Sequence, residues 1–585
     1  MSAPPRIAPF FSALLLVACG GEGVSEARGP GPGGPAQVST APAVDLRLPD
    51  PRPPVTSIVM AEVLSVALTD WLSELGDRYQ VRDFDGITAA FAADFSGHDP
   101  FAVPEREARA LPLAAQRSEL GEPPVADRAT LGASVEARLG PWRRVVDAHW
   151  SVVHAQFAPP EEGDTWGAAD VLLHLAGEDA FGGREALDLA LRMRVTLADG
   201  RWSIDAWRLV AGEVTRQPTP LFVDVTRPAG VHHEGVRFGQ PGNDSDRWNG
   251  VAGADVDGDG RWDVFLPGQT RSFLYMGDGT SSFREETEER GLGDEVGGTG
   301  AVFFDYDNDG DQDLAVAHVG WRNLDEQCHG RPLALYENDG EGRFTEVGAA
   351  RGFARYLPAY SLVAFDADGD GYTDLFVCGY GRMDDIPNDS WIEALNGAPD
   401  LLLRNVGGTH FEDTTRESGI RDRSWTYSAA AADYDRDGDL DLYVANNFGS
   451  NKLWRNDGKG RFEDVAGSLG VAARGITFGC AWTDLNQDGR LDLYLTRPAS
   501  TTGNRILERL EGRRADTTVR SLYQMTTGNR LFLGLADGRF EETELGATGK
   551  AGWAWTPVCA DLDLDGLLDV YCVNGFVTGD LPQDT

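Results

Sequence analysis

Residues 433–446 read DYDRDGDLDLYVAN, and the fold turns on how this stretch is read. Its first nine residues set Asp433, Asp435, Asp437 and Asp441 at positions 1, 3, 5 and 9 of a loop, with Gly438 at position 6. Alternating carboxylates bring several hard oxygens to one side of a turn, which is the donor set Ca²⁺ takes. Asp439, at position 7, adds its backbone carbonyl. The glycine has no Cβ and so permits the sharp bend. Mg²⁺, with its tight octahedron and retained waters, fits such a cage less well. An EF-hand loop would carry Glu at position 12 and run into a helix. Here position 12 is Val444, within a Leu442-Tyr443-Val444 run that has the composition of a buried strand. The loop therefore joins two strands.

Working outward, the same pattern recurs five more times, with starts 50 to 77 residues apart. The copies are Asp255, Asp257, Asp259, Asp263; Asp305, Asp307, Asp309, Asp313; Asp366, Asp368, Asp370, Asp374; Asp484, Asn486, Asp488, Asp492; and Asp561, Asp563, Asp565, Asp569. Position 7 holds Arg261, Asp311, Tyr372, Arg490 and Leu567, each expected to lend a backbone carbonyl. Asn486 keeps an oxygen but loses a charge, so the fifth site is expected to be the weaker one. Position 12 is never acidic: Leu266, Val316, Val377, Leu495 and Cys572. One copy alone is equally well an Asx turn; regular recurrence is not explained that way. About six structural Ca²⁺ ions are expected.

Between the loops lies a second recurring piece: Leu274-Tyr-Met-Gly, Leu335-Tyr-Glu-Asn, Leu403-Arg-Asn, Leu453-Trp-Arg-Asn and Leu531-Phe-Leu-Gly, each followed by a glycine turn and an aromatic residue. A strand, an Asp loop, a strand and a hairpin make a four-stranded antiparallel unit, one propeller blade. The expected fold is mainly β, a six- or seven-bladed β-propeller. Phe222–Val231 looks like the tail of a repeat, such as Phe462-Glu-Asp-Val465, and is expected to close the ring by completing the last blade.

These loops resemble the FG-GAP/VCBS repeats, the calcium-loop units also found in integrin α-subunits. With pieces such as Gly479-Cys480-Ala481-Trp482 ahead of a loop, the chain looks like bacterial relatives of cartilage acidic protein. The resemblance covers roughly residues 222–585. It implies a propeller, structural calcium and a recognition role.

The rest of the chain reads differently. Arg6 precedes an apolar run, Ile7–Ala18, too short to span a bilayer. Leu16-Val17-Ala18-Cys19-Gly20 resembles a bacterial lipobox, which implies a signal peptide over 1–18, lipidation of Cys19 and, with Gly20 following, outer-membrane sorting; a plain secretory signal is the alternative. Residues 19–54, rich in Gly and Pro, read as a flexible tether. Residues 55–217 read as an α+β domain, with helical spacing over Val55–Leu75 and Asp83–Phe95. Strand alternation follows over Trp150–Phe157, Ala169–Leu175, Leu187–Leu197 and Trp202–Val210. This part resembles the NTF2-like cone fold, and no function is assigned to it. The propeller is expected over 218–585. Cys559 and Cys572 flank one Asp loop and are expected to be able to face each other across a hairpin; no CxxC pair suggests zinc.

The 585 residues carry 52 basic and 93 acidic side chains, a net charge of −41. Such a chain repels nucleic acid and anionic lipid. Each Asp loop follows a strand of ~20–25 Å at 3.3 Å per residue. Trp248, Tyr360, Trp425, Tyr427, Phe478, Trp553 and Trp555 therefore gather at the opposite face, either as an exposed platform for sugar or peptide ligands or as packing between blades. No G-x-S-x-G or HExxH occurs, and only nine His are present. The expectation is a lipid-anchored recognition or adhesion module for protein or glycan ligands, not an enzyme. A propeller-based hydrolase or lyase and an envelope scaffold are the alternatives.

Overall fold

The computed structural model describes residues 58–574 apart from 107–108, 111–115, 159–164, 219–221, 233–249, 269–270, 323–327, 382–388, 391–392, 501–506, 508–523, 546–548 and 550. The expected signal peptide, Cys19, the tether and Trp248 lie outside the described residues.

In the first part of the chain, helices Ile58–Val81, Phe84–Ala89 and Arg128–Leu139 accompany a six-stranded antiparallel sheet. Its long strands Arg144–Phe157, Thr165–Glu178, Arg184–Ala198 and Arg201–Gln217 pair in sequence order, and short strands Gln116–Glu119 and Arg109–Ala110 extend the edge. Period-two alternation decides which face is buried. Leu173, Leu175, Leu187, Leu189, Leu191 and Met193 turn inward with Leu68, Leu72, Leu75 and Tyr79 of the first helix. Asp199 and Gly200, both at positive φ (49° and 72°), make the tight turn that the Ala-Asp-Gly sequence predicts. The first helix runs six residues beyond the expected Leu75. The second is shorter than expected, because Asp83 caps it at Gly86 N and it ends by Ala89. None of the core residues here belongs to the clusters of the later sheets.

From Ala252 onward the chain is mainly β. Five four-stranded antiparallel sheets follow one another. The first comprises Ala252–Ala254, Asp263–Leu266, Phe273–Gly277 and Phe283–Glu285. The second is Gly298–Phe304, Asp313–His318, Ala334–Asn338 and Phe344–Glu346; the third is Ala359–Phe365, Asp374–Gly379, Leu401–Asn405 and Phe411–Asp413. The fourth is Trp425–Ala432, Asp441–Asn447, Lys452–Asn456 and Phe462–Asp464; the fifth is Gly479–Thr483, Asp492–Thr496, Arg530–Gly534 and Phe540–Thr543. A two-stranded sheet, Ala554–Ala560 with Asp569–Asn574, comes last. In every sheet the strands neighbour in chain order, as short connections favour.

Consecutive sheets bury their apolar faces against each other. Leu314, Val316 and Phe344 of the second pack with Phe265 and Leu274 of the first. Leu375, Val377 and Leu403 of the third pack with Ala315 and Leu335 of the second, and the same holds from third to fourth and from fourth to fifth. The first strands of successive sheets lie side by side. They come so close that a Cβ on Gly479 would stand 2.6 Å from Trp555 O. A larger residue there would force the fifth and sixth sheets apart.

Candidate metal centres

Each Asp loop links the first strand of a sheet to its second, and backbone amides fold it the same way each time. The position-1 carboxylate accepts from the amides of positions 5 and 6: Asp255 from Asp259 N and Gly260 N at 3.1 and 2.8 Å, Asp305 from Asp309 N and Gly310 N at 3.2 and 3.0 Å. Asp484 and Asp561 repeat this pair of bonds. Asp366 and Asp433 keep the bond to the position-6 glycine. The position-5 carboxylate accepts from the amide of position 7, as Asp370 does from Tyr372 N at 2.9 Å and Asp565 from Leu567 N at 2.8 Å. The position-6 glycines all have positive φ, and so does every position 4: Gly258, Asn308, Gly369, Arg436, Gln487 and Leu564. The requirement at position 4 was not read from the sequence. Its signal was Gly at two copies and Asn at a third, the residues that best tolerate this conformation.

Position 9 does more than the sequence suggested. Asp263, Asp313, Asp374, Asp441, Asp492 and Asp569 start the second strands and are buried. Asp313 accepts from Tyr306 N at 3.1 Å and from Asn338 N at 2.8 Å, so it clamps its own loop to the third strand of its sheet. Asp263, Asp374 and Asp492 make the same two bonds. Asn338, Asn405 and Asn456 complete the device: their side chains donate to Val256 O, Tyr306 O and Ala367 O, each in the loop of the preceding sheet, at 2.8, 2.6 and 2.8 Å. These asparagines were visible in the hairpin motifs but were not singled out.

The result is a set of converging oxygens. In five loops three carboxylate oxygens lie within 4.8 Å of one another: Asp255, Asp257, Asp259; Asp305, Asp307, Asp313; Asp366, Asp368, Asp374; Asp433, Asp435, Asp441; and Asp561, Asp563, Asp565. The fifth loop, with Asn486, has the same backbone bonds, but Arg490 forms an ion pair with Asp488. Arg261 pairs likewise with Asp259 at 3.2 Å in the first. Several oxygens are buried with no hydrogen-bond donor: Oδ1 of Asp257, Asp307, Asp368, Asp433 and Asp439, and Oδ2 of Asp441. Burial and the neighbouring carboxylates push Asp313, Asp374 and Asp441 up to about 7 and Asp439 to about 6. Buried anionic oxygens crowded together without donors fit a hard divalent cation.

At the far ends of the sheets the packing reading fits the burial. Tyr360, Trp425 and Phe478 are buried, and Tyr427, Trp553 and Trp555 are half-buried. They pack on one another, with ring centroids 5.1 Å apart for Tyr360 and Tyr427, 5.5 Å for Tyr427 and Phe478, and 4.1 Å for Phe478 and Trp555. The six described aromatics are thus chiefly packing between sheets, not an open ring. Beside them, a cleft of about 540 Å³ opens next to the third sheet. Buried Asp400 and Asp422 line it together with exposed Arg416, Arg421 and Arg423. The cysteines depart from expectation. Cys559 lies opposite Val570 and Cys572 opposite Pro557, so the two are out of register and are free thiols, both pushed up to about 11 by burial.

Four stretches of the chain, 255–316, 324–377, 433–495 and 517–572, match the FG-GAP-like repeat, and together they contain all six loops. Cartilage acidic protein 1 of Homo sapiens is 26% identical over 349 residues, 56% of this chain and 47% of the relative. The Mus musculus protein is 25% identical over 346 residues, 56% of this chain and 48% of the relative. The chain spans about half the length of these relatives. Among solved structures, an Agrocybe aegerita lectin aligns over 66% of this chain and 82% of its own at 14% identity and a TM-score of 0.31. Aln2 from a Streptomyces species aligns over 25% of this chain and 89% of its own at 13% identity and a TM-score of 0.18. The later part of this chain is thus similar to FG-GAP-like repeats and, in sequence, to cartilage acidic protein 1.

Proposed function

We propose that this protein is a calcium-stabilised recognition module of the cell envelope, a binding protein and not a catalyst. The observation that carries this is the set of donorless carboxylate oxygens buried at the centres of recurring loops. Each loop holds one Ca²⁺, about six in all, and each ion neutralises the carboxylates that strap one sheet together. The kinship with cartilage acidic protein 1 and the FG-GAP-like repeats favours adhesion or recognition of a protein or glycan ligand. The chain divides near residue 217 into an NTF2-like domain and the repeats, and lipidation at Cys19 tethers both to the outer membrane.

We infer further that the repeats close into a six-bladed ring. Ala229 O accepts from Phe283 N at 2.7 Å. Arg290 O and Arg351 O accept from Phe344 N and Phe411 N, at 2.8 Å each, at the same point of the second and third sheets. Residues 222–231 thus sit before the first sheet as each repeat tail sits before the next. Among the described residues the last sheet, ending at Asn574, has two strands where each of the five before it has four.

Calorimetric unfolding of the full chain in Ca²⁺ and in chelator tests the central claim. The expected result is a large fall in the repeat transition in chelator, with about six Ca²⁺ recovered from the folded protein by metal analysis. A folded protein with no bound Ca²⁺ at millimolar supply overturns it.

A further inference from the structure

Outside the loops, one group of side chains has metal-binding chemistry of another kind. It lies on the outer face of the six-stranded sheet that precedes the repeats, away from its buried side. His149 and His174 stand directly opposite each other on the paired strands Arg144–Phe157 and Thr165–Glu178, and Asp188 stands opposite His174 on the next strand. Asp147, two residues before His149, shares this face. Nine His serve the whole chain, and these two are in ring contact, with centroids 5.1 Å apart.

The hydrogen bonding leaves the group incomplete. His174 Nδ1 is 2.6 Å from Asp188 Oδ1, so Nδ1–H donates to that carboxylate and Nε2 is the nitrogen left to take a ligand. That Nε2 is buried with no hydrogen-bond partner. It faces Asp147 Oδ2 across 3.9 Å, too long for a hydrogen bond but within ion-pair reach of a protonated ring. The same Asp147 oxygen lies 3.0 Å from His149 Nδ1. Bonds of ~2.0–2.2 Å to a tetrahedral ion set its N and O donors roughly 3.3–3.5 Å apart, between the two observed separations. The three donors do not converge as they stand; the His149 side chain, 57% exposed, has to turn for its ring to share a centre with His174. A ligating imidazole whose other nitrogen donates to a carboxylate is the usual supporting arrangement at such sites, and His174 with Asp188 already has it.

We propose that Asp147, His149 and His174 form a site for a divalent first-row transition ion of the zinc class, with Asp188 as the positioning residue that orients His174. Two nitrogens and one oxygen suit such ions and not Ca²⁺, so this site is chemically distinct from the loops. It stands independently of the calcium reading. Three protein ligands leave a fourth position to water or an incoming ligand.

The test uses the full chain, stripped with chelator and returned to millimolar Ca²⁺ so that the acidic loops do not compete, and titrated calorimetrically with Zn²⁺. One equivalent of Zn²⁺ is expected at micromolar concentration. It should be lost in His149→Ala and in His174→Ala, and weakened 10- to 100-fold in Asp188→Asn. Titration with Co²⁺ gives a second readout, the visible absorption of an imidazole-bound ion, which should vanish in His149→Ala, a change at an exposed position. No Zn²⁺ uptake by the native chain, or uptake and Co²⁺ absorption unchanged in His149→Ala and His174→Ala, overturns the proposal.

Discussion

Gln487 Nε2 donates a 2.5 Å hydrogen bond to the carbonyl oxygen of Gly566, so position 4 of the fifth loop holds position 6 of the sixth. Asn308 does the same to Gly371 O at 3.0 Å, and Arg436 to Gly489 O. The left-handed backbone at position 4 is what aims these side chains at the next loop. Gln487→Ala should cost about 0.5–1.5 kcal/mol, the net worth of one such bond. It should also weaken Ca²⁺ uptake by the sixth loop, read by calcium titration beside the native chain.

Positions 3 and 9 of one loop should separate under mutation. Asp313 clamps two backbone amides, and Asp313→Ala leaves both without an acceptor, a loss of about 2–4 kcal/mol with or without Ca²⁺. Asp307 has a buried oxygen with no donor, so Asp307→Ala should leave stability in chelator level or slightly higher and abolish only the increment that Ca²⁺ adds to this loop. Urea unfolding of both variants in Ca²⁺ and in chelator checks the contrast.

Acidity should act oppositely in the two states. Asp313, Asp374 and Asp441 are raised from 3.8 to about 7 in the ion-free fold, chiefly by burial. At these three positions the folded chain therefore binds more protons than the unfolded chain between these values, and their contribution to stability in chelator is greatest below pH about 4 and is lost as pH rises through about 7. With Ca²⁺ bound the carboxylates stay ionised, so the dependence should flatten and Ca²⁺ binding near pH 6 should release protons. Melting temperatures across this range, and calorimetry in buffers of different ionisation enthalpy, measure both effects.

Asn405 joins two sheets through one side chain, donating to Tyr306 O at 2.6 Å and Thr373 O at 3.1 Å. Asn405→Ala strands two carbonyls and should cost about 1–3 kcal/mol. Asn405→Asp should cost more, because a carboxylate would face both oxygens. Thermal unfolding ranks the two.

Arg416, Arg421 and Arg423 converge on the cleft beside the third sheet, and none forms an ion pair among the described residues. If ligands dock there, they are anionic. Retention of the chain on a sulfated or uronate glycan, against a neutral glycan control, should fall at least tenfold when all three become Gln, and melting in Ca²⁺ should not change.

Much of this architecture was legible because it repeats. The Asp loops, the Leu-x-x-Asn hairpins and the long strands up to Trp202–Val210 each carry a local signature: turn chemistry or alternation. What escaped was set by contacts distant in sequence. The partner of Asn338 is Val256 O, and no spacing within either segment announces it. Trp425 and Phe478 read either as an exposed platform or as packing, and only the neighbouring sheets that cover them decide it. Cys559 and Cys572 looked like a pair, but Cys559 stands one pair from the loop-closing Ala560–Asp569 and Cys572 three, so they never meet.

The ties between neighbouring sheets are unevenly distributed. Gly258 and Gly369 have no side chain at position 4 to reach forward, so the first two sheets, and the third and fourth, share only the bonds of Asn338 and Asn456 among the side-chain links described above. Gly534 stands where the fifth sheet would need such an asparagine; Arg436 and Gln487 link its loop to the neighbouring loops, and Ser428 Oγ to Phe478 O and Thr496 Oγ1 to Trp555 O tie its far end on either side. Between the second and third sheets both links are present, through Asn308 and Asn405. Under amide hydrogen exchange, that junction should form the slowest-opening unit of the array, from which partial unfolding spreads toward either end.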